Sequence, residues 1–180
     1  MSATVAVYGA SSSRIAQTFV DAAFELGRLL ATEGFEVVCG GGRGGLMAAV
    51  TDGALSAGGR VTGVLPSFMI ERGWDHPALT ERIVTDTMHA RKSAMISRAD
   101  AVIALPGGIG TFDELFEAMT WRQLKLWSGP LVILDTDGYY RPLLDMLDRV
   151  EELGFMRHRN DRLYAVAAHP SEAVSLIINH

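Results

Sequence analysis

Short apolar runs alternate with amphipathic segments along the chain, the links between them are brief, and two of those links are almost bare of side chains. These three observations predict an α/β protein with a mostly parallel, doubly wound sheet in three layers, helices covering both faces. The 180 residues read as a single domain over 1–180, without repeats or low-complexity tracts.

Val5-Ala6-Val7-Tyr8 reads as the first strand, and Gly9-Ala10-Ser11-Ser12-Ser13 as a small-residue loop into a helix over 15–32. In that helix Phe19, Ala22, Ala23, Leu26, Leu29 and Leu30 recur three and four apart, which places them on one buried face. Gly34 stops the helix and 35–39 form the second strand. Gly40-Gly41-Gly42-Arg43-Gly44-Gly45 then leads into a helix over 46–57. The cluster fits G-x-G-x-x-G by letter, but it follows the second strand and no clear ribose-binding acid follows about twenty residues after the next one, so it is not the dinucleotide fingerprint.

Residues 60–64 make the third strand. Residues 66–80, with Gly73, Trp74, His76 and Pro77, show no period and read as an irregular loop over the site. A short strand over 81–84 and a helix over 88–99 follow. Residues 101–105 are a buried strand, and 111–127 a helix with Leu115, Ala118, Met119, Arg122 and Leu126 on one side. A strand over 130–134, a turn at 135–138, a helix over 139–153, a strand near 163–166 and a helix from 171 complete the chain.

A formal net charge of -5 disfavours nonspecific attraction to nucleic acid or anionic membrane. Cys39 has no partner for an internal disulfide, the first ten residues lack a signal-peptide pattern, and no apolar run reaches the ~18 residues of a membrane span. A soluble cytoplasmic protein is expected. His76, His89, His158, His169 and His180 show no metal-binding pair at helical spacing and read as surface or capping residues. Asp135 and Asp137 are either a cation pair or the caps of a turn.

The organising stretch is Leu105-Pro106-Gly107-Gly108-Ile109-Gly110-Thr111-Phe112-Asp113-Glu114. Three glycines between a strand and a helix bring bare N–H groups and the positive end of the helix dipole to one place, which suits a phosphate. Thr111 and Glu114 also match a capping box, which would account for both without chemistry. Met88, Arg91 and Met95 share a helix face, so Arg91 either packs its stem with the guanidinium in water or, with Lys92 beside it, points into the cleft.

These residues are familiar. Pro106-Gly107-Gly108-Ile109-Gly110-Thr111-Phe112-Asp113-Glu114 matches the P-G-G-x-G-T-x-x-E motif, and Met88-His89-Ala90-Arg91-Lys92 the M-H-x-R-K segment, of the LOG ("Lonely Guy") family, cytokinin riboside 5′-monophosphate phosphoribohydrolases long mislabelled as lysine decarboxylases. The resemblance runs from the Val7-Tyr8 strand through Gly40-Gly41-Gly42 and Gly45-Leu46-Met47 to Asp137-Gly138-Tyr139-Tyr140, and with it a Rossmann-like fold is implied. It implies hydrolysis of the N-glycosidic bond of a nucleoside 5′-monophosphate, either a cytokinin nucleotide or AMP, to free base and ribose 5-phosphate.

By the same resemblance Arg91 and Glu114 are the catalytic pair. Met88, Lys92, Gly107, Gly108, Ile109, Gly110, Thr111, Asp113, Thr120, Ser11, Gly41 and Gly42 form the substrate- and phosphate-binding set, with no metal and no cofactor. A homodimer with the site near the subunit contact is expected on the same ground, and Trp121 and Trp127 either serve it or belong to the core. The chain departs from the family at Gly9-Ala10, where Cys-Gly is common, and at Ser13-Arg14, where Gly and Pro are frequent. It departs again at Gly73, where many relatives place a glutamate three residues before the histidine matched by His76, and at Asp113 in place of Glu. These changes leave Arg91 and Glu114 in place and bear on base specificity.

The rival reading is a nucleotide-binding or carrier protein without turnover. Glu114 separates the two, because holding phosphate gains nothing from a neighbouring carboxylate while cleaving a glycosidic bond does. A decarboxylase is disfavoured because no lysine sits in a recognisable setting for a pyridoxal Schiff base.

Overall fold

Seven of the apolar runs pair into one sheet in the computed structural model, which describes residues 2–156 and 163–180. His158 lies outside the described residues. The strands are β1 (Thr4–Tyr8), β2 (Glu36–Cys39), β3 (Val61–Pro66), β4 (Glu81–Thr85), β5 (Ala101–Ala104), β6 (Leu131–Leu134) and β7 (Ala165–Ala167). They lie in the order β4-β3-β2-β1-β5-β6-β7, and every neighbouring pair is parallel. Central β1 pairs Val5 with Val37 of β2 on one side and with Ala101 of β5 on the other.

Helices cover both faces, so the central strands are apolar throughout. Along β1, Val5 and Val7 join one core cluster while Ala6 and Tyr8 join the other, the period of two that a pleated strand imposes. The first cluster takes Leu26 and Leu30 from α1 (Gln17–Thr32), Val50 and Ala54 from α2 (Gly45–Ser56), and Val174 and Ile177 of the C-terminal helix. The second takes Met95 and Ile96 of the helix after β4, Leu115 and Met119 of the helix after β5, and Leu147 of the helix after β6. In chain order after α2 the helices are α3 (Ser67–Glu71), α4 (Met88–Ile96), α5 (Ile109–Gln123), α6 (Arg141–Glu152) and α7 (Pro170–Ile178). The winding direction reverses between β1 and β5, and an open α/β sheet holds ligands in the crevice at the carboxyl ends of such strands.

Several expectations change. Residues 66–80 are not irregular throughout: α3 occupies the first part, and the rest is held by main-chain bonds, Arg43 N to Trp74 O at 2.9 Å and His76 N to Gly41 O at 2.8 Å. The helix expected over 111–127 begins at Ile109 and ends at Gln123, because the chain turns at Lys125 with φ +61. Leu126 therefore leaves the buried face and is exposed. Trp121 and Trp127 pack against the second core cluster, and the Trp127 indole donates to Ala99 O at 2.7 Å.

His76 is buried rather than superficial, its Nε2 3.2 Å from Asp52 Oδ1. The Asp135 carboxylate accepts from Tyr140 N at 2.6 Å, the turn-capping alternative. Among the described residues, no cluster of three or more His, Cys, Asp or Glu could hold a metal, and no helix is long and apolar enough to cross a membrane.

Two glycines let α1 and α2 touch backbone to backbone. A Cβ on Gly27 would stand 2.1 Å from Val50 O, and one on Gly53 2.0 Å from Phe24 O. Gly27→Ala and Gly53→Ala should each lower stability by about 1–3 kcal/mol, the cost of overpacking, read as a lower urea midpoint at unchanged slope.

Candidate active site

The turn between β5 and α5 is fixed from behind. Leu105 N donates to Tyr8 O at 2.8 Å and Ala10 N to Pro106 O at 3.1 Å, which ties the carboxyl ends of β1 and β5 together. Two tyrosines following β6 then grip the turn's carbonyls: the Tyr140 hydroxyl donates to Leu105 O and the Tyr139 hydroxyl to Gly107 O, both at 2.6 Å. With those carbonyls held away, the N–H groups beyond them face a cavity of about 670 Å³. Gly108 and Gly110 line it with nothing within 4 Å of where a Cβ would stand, so an anion can approach bare main chain. Gly107 is needed for another reason: its Cβ would fall 2.1 Å from Thr111 Oγ1.

Thr111 is not a helix cap. Gly108 occupies the N-cap position of α5 and no side chain caps it, which places Thr111 and Glu114 inside the helix and removes the capping-box alternative. Glu114 instead accepts from Arg91 Nη1 at 2.9 Å, with the two side chains 11% and 6% exposed. Both line the cavity. Arg91 Nε donates to Val64 O at 2.9 Å, so the guanidinium is held on two sides. Space for it exists because residue 40 is glycine, whose Cβ would lie 2.0 Å from Arg91 Nη2. Arg91 thus points into the cleft, not into bulk water.

Burial pushes the Glu114 carboxyl above the ordinary carboxylate range, and Arg91 beside it pulls only part of the way back. Burial likewise raises the Tyr8 hydroxyl, with the negative charges of Glu114 and Glu117 adding to the effect. Lys92 Nζ lies 2.8 Å from Glu117 and 2.9 Å from Asp113, bridging α4 to α5 just behind the pair. Burial alone would lower its pKa, but the Glu117 and Asp113 carboxylates outweigh that and leave it raised. Lys92 is therefore a fixed cation in a charge network.

Of the residues singled out from the sequence, Ser11, Gly42, Met88, Arg91, Gly108, Ile109, Gly110, Thr111 and Glu114 line this one cavity. Gly107, Lys92 and Asp113 stand behind it as described. Thr120, farther along α5, uses its hydroxyl on Phe116 O at 2.7 Å. Gly41, at φ +67, packs on Leu65 and its N–H meets Cys39 Sγ at 3.4 Å. The second glycine cluster largely serves packing: Leu46 N, at the start of α2, donates to Ala10 O at 2.8 Å, and a Cβ on Gly45 would meet Ala10 O and Ser12 O at 2.5 Å. The Leu46 amide is thus taken by the neighbouring loop, while Gly42 and Gly44 of the same cluster border the cavity.

Met47, Met69, Trp74 and Arg43 also line the cavity, and sequence spacing did not mark them. Tyr139 and Tyr140 were missed as supports, although a tyrosine in an apolar setting signals a hydroxyl in need of a partner. Along the carboxyl ends of the strands lie the glycine turn after β5, Glu114 beside Tyr8 at the end of β1, Arg91 over Gly40 at the end of β2, and Trp74, whose carbonyl accepts from Arg43 N in the loop after β2.

A family model described as "Possible lysine decarboxylase" matches residues 47–177. The chain is 38% identical over 170 residues to a probable cytokinin riboside 5′-monophosphate phosphoribohydrolase of Oryza sativa subsp. japonica, covering 94% of this chain and 70% of that protein. It is 36% identical over 173 residues to a cytokinin riboside 5′-monophosphate phosphoribohydrolase of Arabidopsis thaliana, covering 96% and 81%. Among solved structures, the molybdenum cofactor binding protein of the phototrophic bacterium Rippkaea orientalis superposes with a TM-score of 0.78 at 26% identity, covering 99% of this chain and 97% of that one.

Because Arg91 holds the Glu114 pKa down against burial, Arg91→Ala should move the carboxyl titration to higher pH, as followed by carbon-13 NMR. Gly40→Ala, which displaces the same guanidinium by steric overlap, should move it in the same direction.

Proposed function

The chain belongs to the LOG family, that of the cytokinin riboside 5′-monophosphate phosphoribohydrolases, and from that membership we propose that it hydrolyses the N-glycosidic bond of a nucleoside 5′-monophosphate, AMP or its N6-prenylated cytokinin form. The observation that carries the reading is the buried Arg91–Glu114 pair on the wall of the cavity, between a bare main-chain cradle and an apolar wall. The 5′-phosphate sits on the N–H groups of Gly108–Thr111 at the α5 terminus. Its sugar then lies over Glu114, and its base reaches past Arg91 toward Trp74. Residues 1–180 carry the activity as one domain, and a cytoplasmic setting suits the lone buried thiol of Cys39.

Breaking the bond between C1′ and the base nitrogen leaves positive charge on the sugar and negative charge on the base. Glu114 stabilises the first and takes a proton from the attacking water, whose oxygen bonds to C1′. Arg91 lies on the base side of Glu114 and neutralises the second. The base departs and takes up a proton at the nitrogen that had been bonded to C1′, Glu114 gives up the proton it took from water, and ribose 5-phosphate remains on the cradle. A carrier on the same fold has no use for this carboxylate, which is why hydrolysis is the preferred reading.

The exposed apolar side chains Met88 on α4 and Ile109, Phe116 and Leu124 on or just beyond α5 support a homodimer through this face. Met88 and Ile109 also line the cavity, so a second copy would close it. Phe116→Glu should yield a monomer by light scattering.

The purified protein should release free base and ribose 5-phosphate from AMP and from isopentenyladenosine monophosphate, with little release from the nucleosides. Equal turnover of nucleoside and nucleotide would contradict the phosphate cradle, and no release from any nucleotide would favour the carrier. Glu114→Gln should lower kcat by roughly 10²- to 10⁴-fold with the fold intact, and Arg91→Ala should impair it strongly. Glu114 works ionised and its pKa is raised, so kcat/KM should fall with decreasing pH along a limb lying above an ordinary glutamate's value of about 4.3.

A further inference from the structure

We propose that Trp74 is the platform on which the base of the substrate stacks, and hence a specificity-determining residue. This rests on the proposed assignment of a nucleotide to the cavity. The indole lines the cavity and is 45% exposed, an unusual placement for a large ring unless something covers it.

The ring is built to stay where it is. Gly73, at φ +64, turns the chain just before it, Trp74 N donates to Met69 O at 3.0 Å, and Trp74 O accepts from Arg43 N at 2.9 Å. An antiparallel bridge between Gly42 and Asp75 fixes the next residue, and Arg82 then clamps Asp75 with its Nε at 2.9 Å and the His76 and Pro77 carbonyls at 3.1 Å. The Arg72 guanidinium lies 5.0 Å from the Trp74 ring centroid and 5.6 Å from that of Phe68. Neither Arg72 nor Phe68 lines the cavity, so this stack backs the indole on the far side and leaves the cavity side for a ligand.

Position selects what it meets. The platform stands beside the loop after β2, where its carbonyl accepts from Arg43 N, and it shares the cavity with the glycine turn after β5. Met47, Met69 and Met88 complete the wall. Their flexible thioether chains accommodate a flat ring with or without an apolar substituent.

The test uses calorimetry in a Glu114→Gln background, where binding is read without turnover. Trp74→Ala should weaken AMP roughly 5- to 150-fold, the range for loss of one base–aromatic stack, and leave ribose 5-phosphate unchanged. Trp74→Phe should restore most of the AMP affinity. Equal weakening of both ligands, or of neither, would overturn the platform. If the unmodified protein releases no base while Trp74→Ala still loses AMP selectively, the hydrolase reading fails and the platform stands.

Discussion

Taking an arginine and a glutamate out of water costs several kcal/mol per ion, and their attraction repays it only when the geometry is good and further hydrogen bonds are made. The pair of Arg91 and Glu114 meets those terms. The 2.9 Å contact between them is joined by a second bond from the guanidinium to Val64 O, and the bare backbone at Gly40 makes room for the whole group. Much of the surrounding structure follows from placing these two charges at a sheet edge where strand order reverses. Helix α4 delivers one, α5 the other, and Lys92 with Asp113 and Glu117 ties the two helices together behind them.

The two glycine-rich turns look alike in composition and do opposite things. After β5, Gly108 and Gly110 leave open space in front of free amides. After β2, Gly40, Gly44 and Gly45 are filled by protein: a guanidinium, the Ser11 carbonyl, and the Ala10 and Ser12 carbonyls. The first turn opens on the cavity, and the second lets distant parts of the chain approach closely. The tyrosines after β6 add precision, since fixing the carbonyls of Leu105 and Gly107 determines where the following N–H groups aim.

The cavity wall is chemically varied. The lining combines the main chain of the glycine turn, a buried carboxylate and guanidinium, and an indole with methionine side chains. Such a wall suits a ligand that has anionic, polar and flat apolar parts.

Periodicity alone determined the layered α/β architecture, because strands buried on both faces must be apolar and the helices beside them must show one apolar stripe. The glycine turn before α5 and the pair of Arg91 and Glu114 were also legible, the turn from its composition and the pair from two ordered motifs. Sequence could not decide whether Glu114 capped a helix or faced a cleft. That depended on where α5 starts, and its start at Ile109 moved the residue a turn inward. Nor could it separate the two glycine clusters, since what fills the space beside a missing Cβ comes from segments distant in the chain. Trp74 lay in a stretch without period, and only the bonds from Arg43 and Met69, with Arg72 behind it, turned an irregular segment into a wall of the site. Local pattern specifies elements because it acts through neighbours a few residues apart, whereas the site depends on which ends of those elements the sheet brings together.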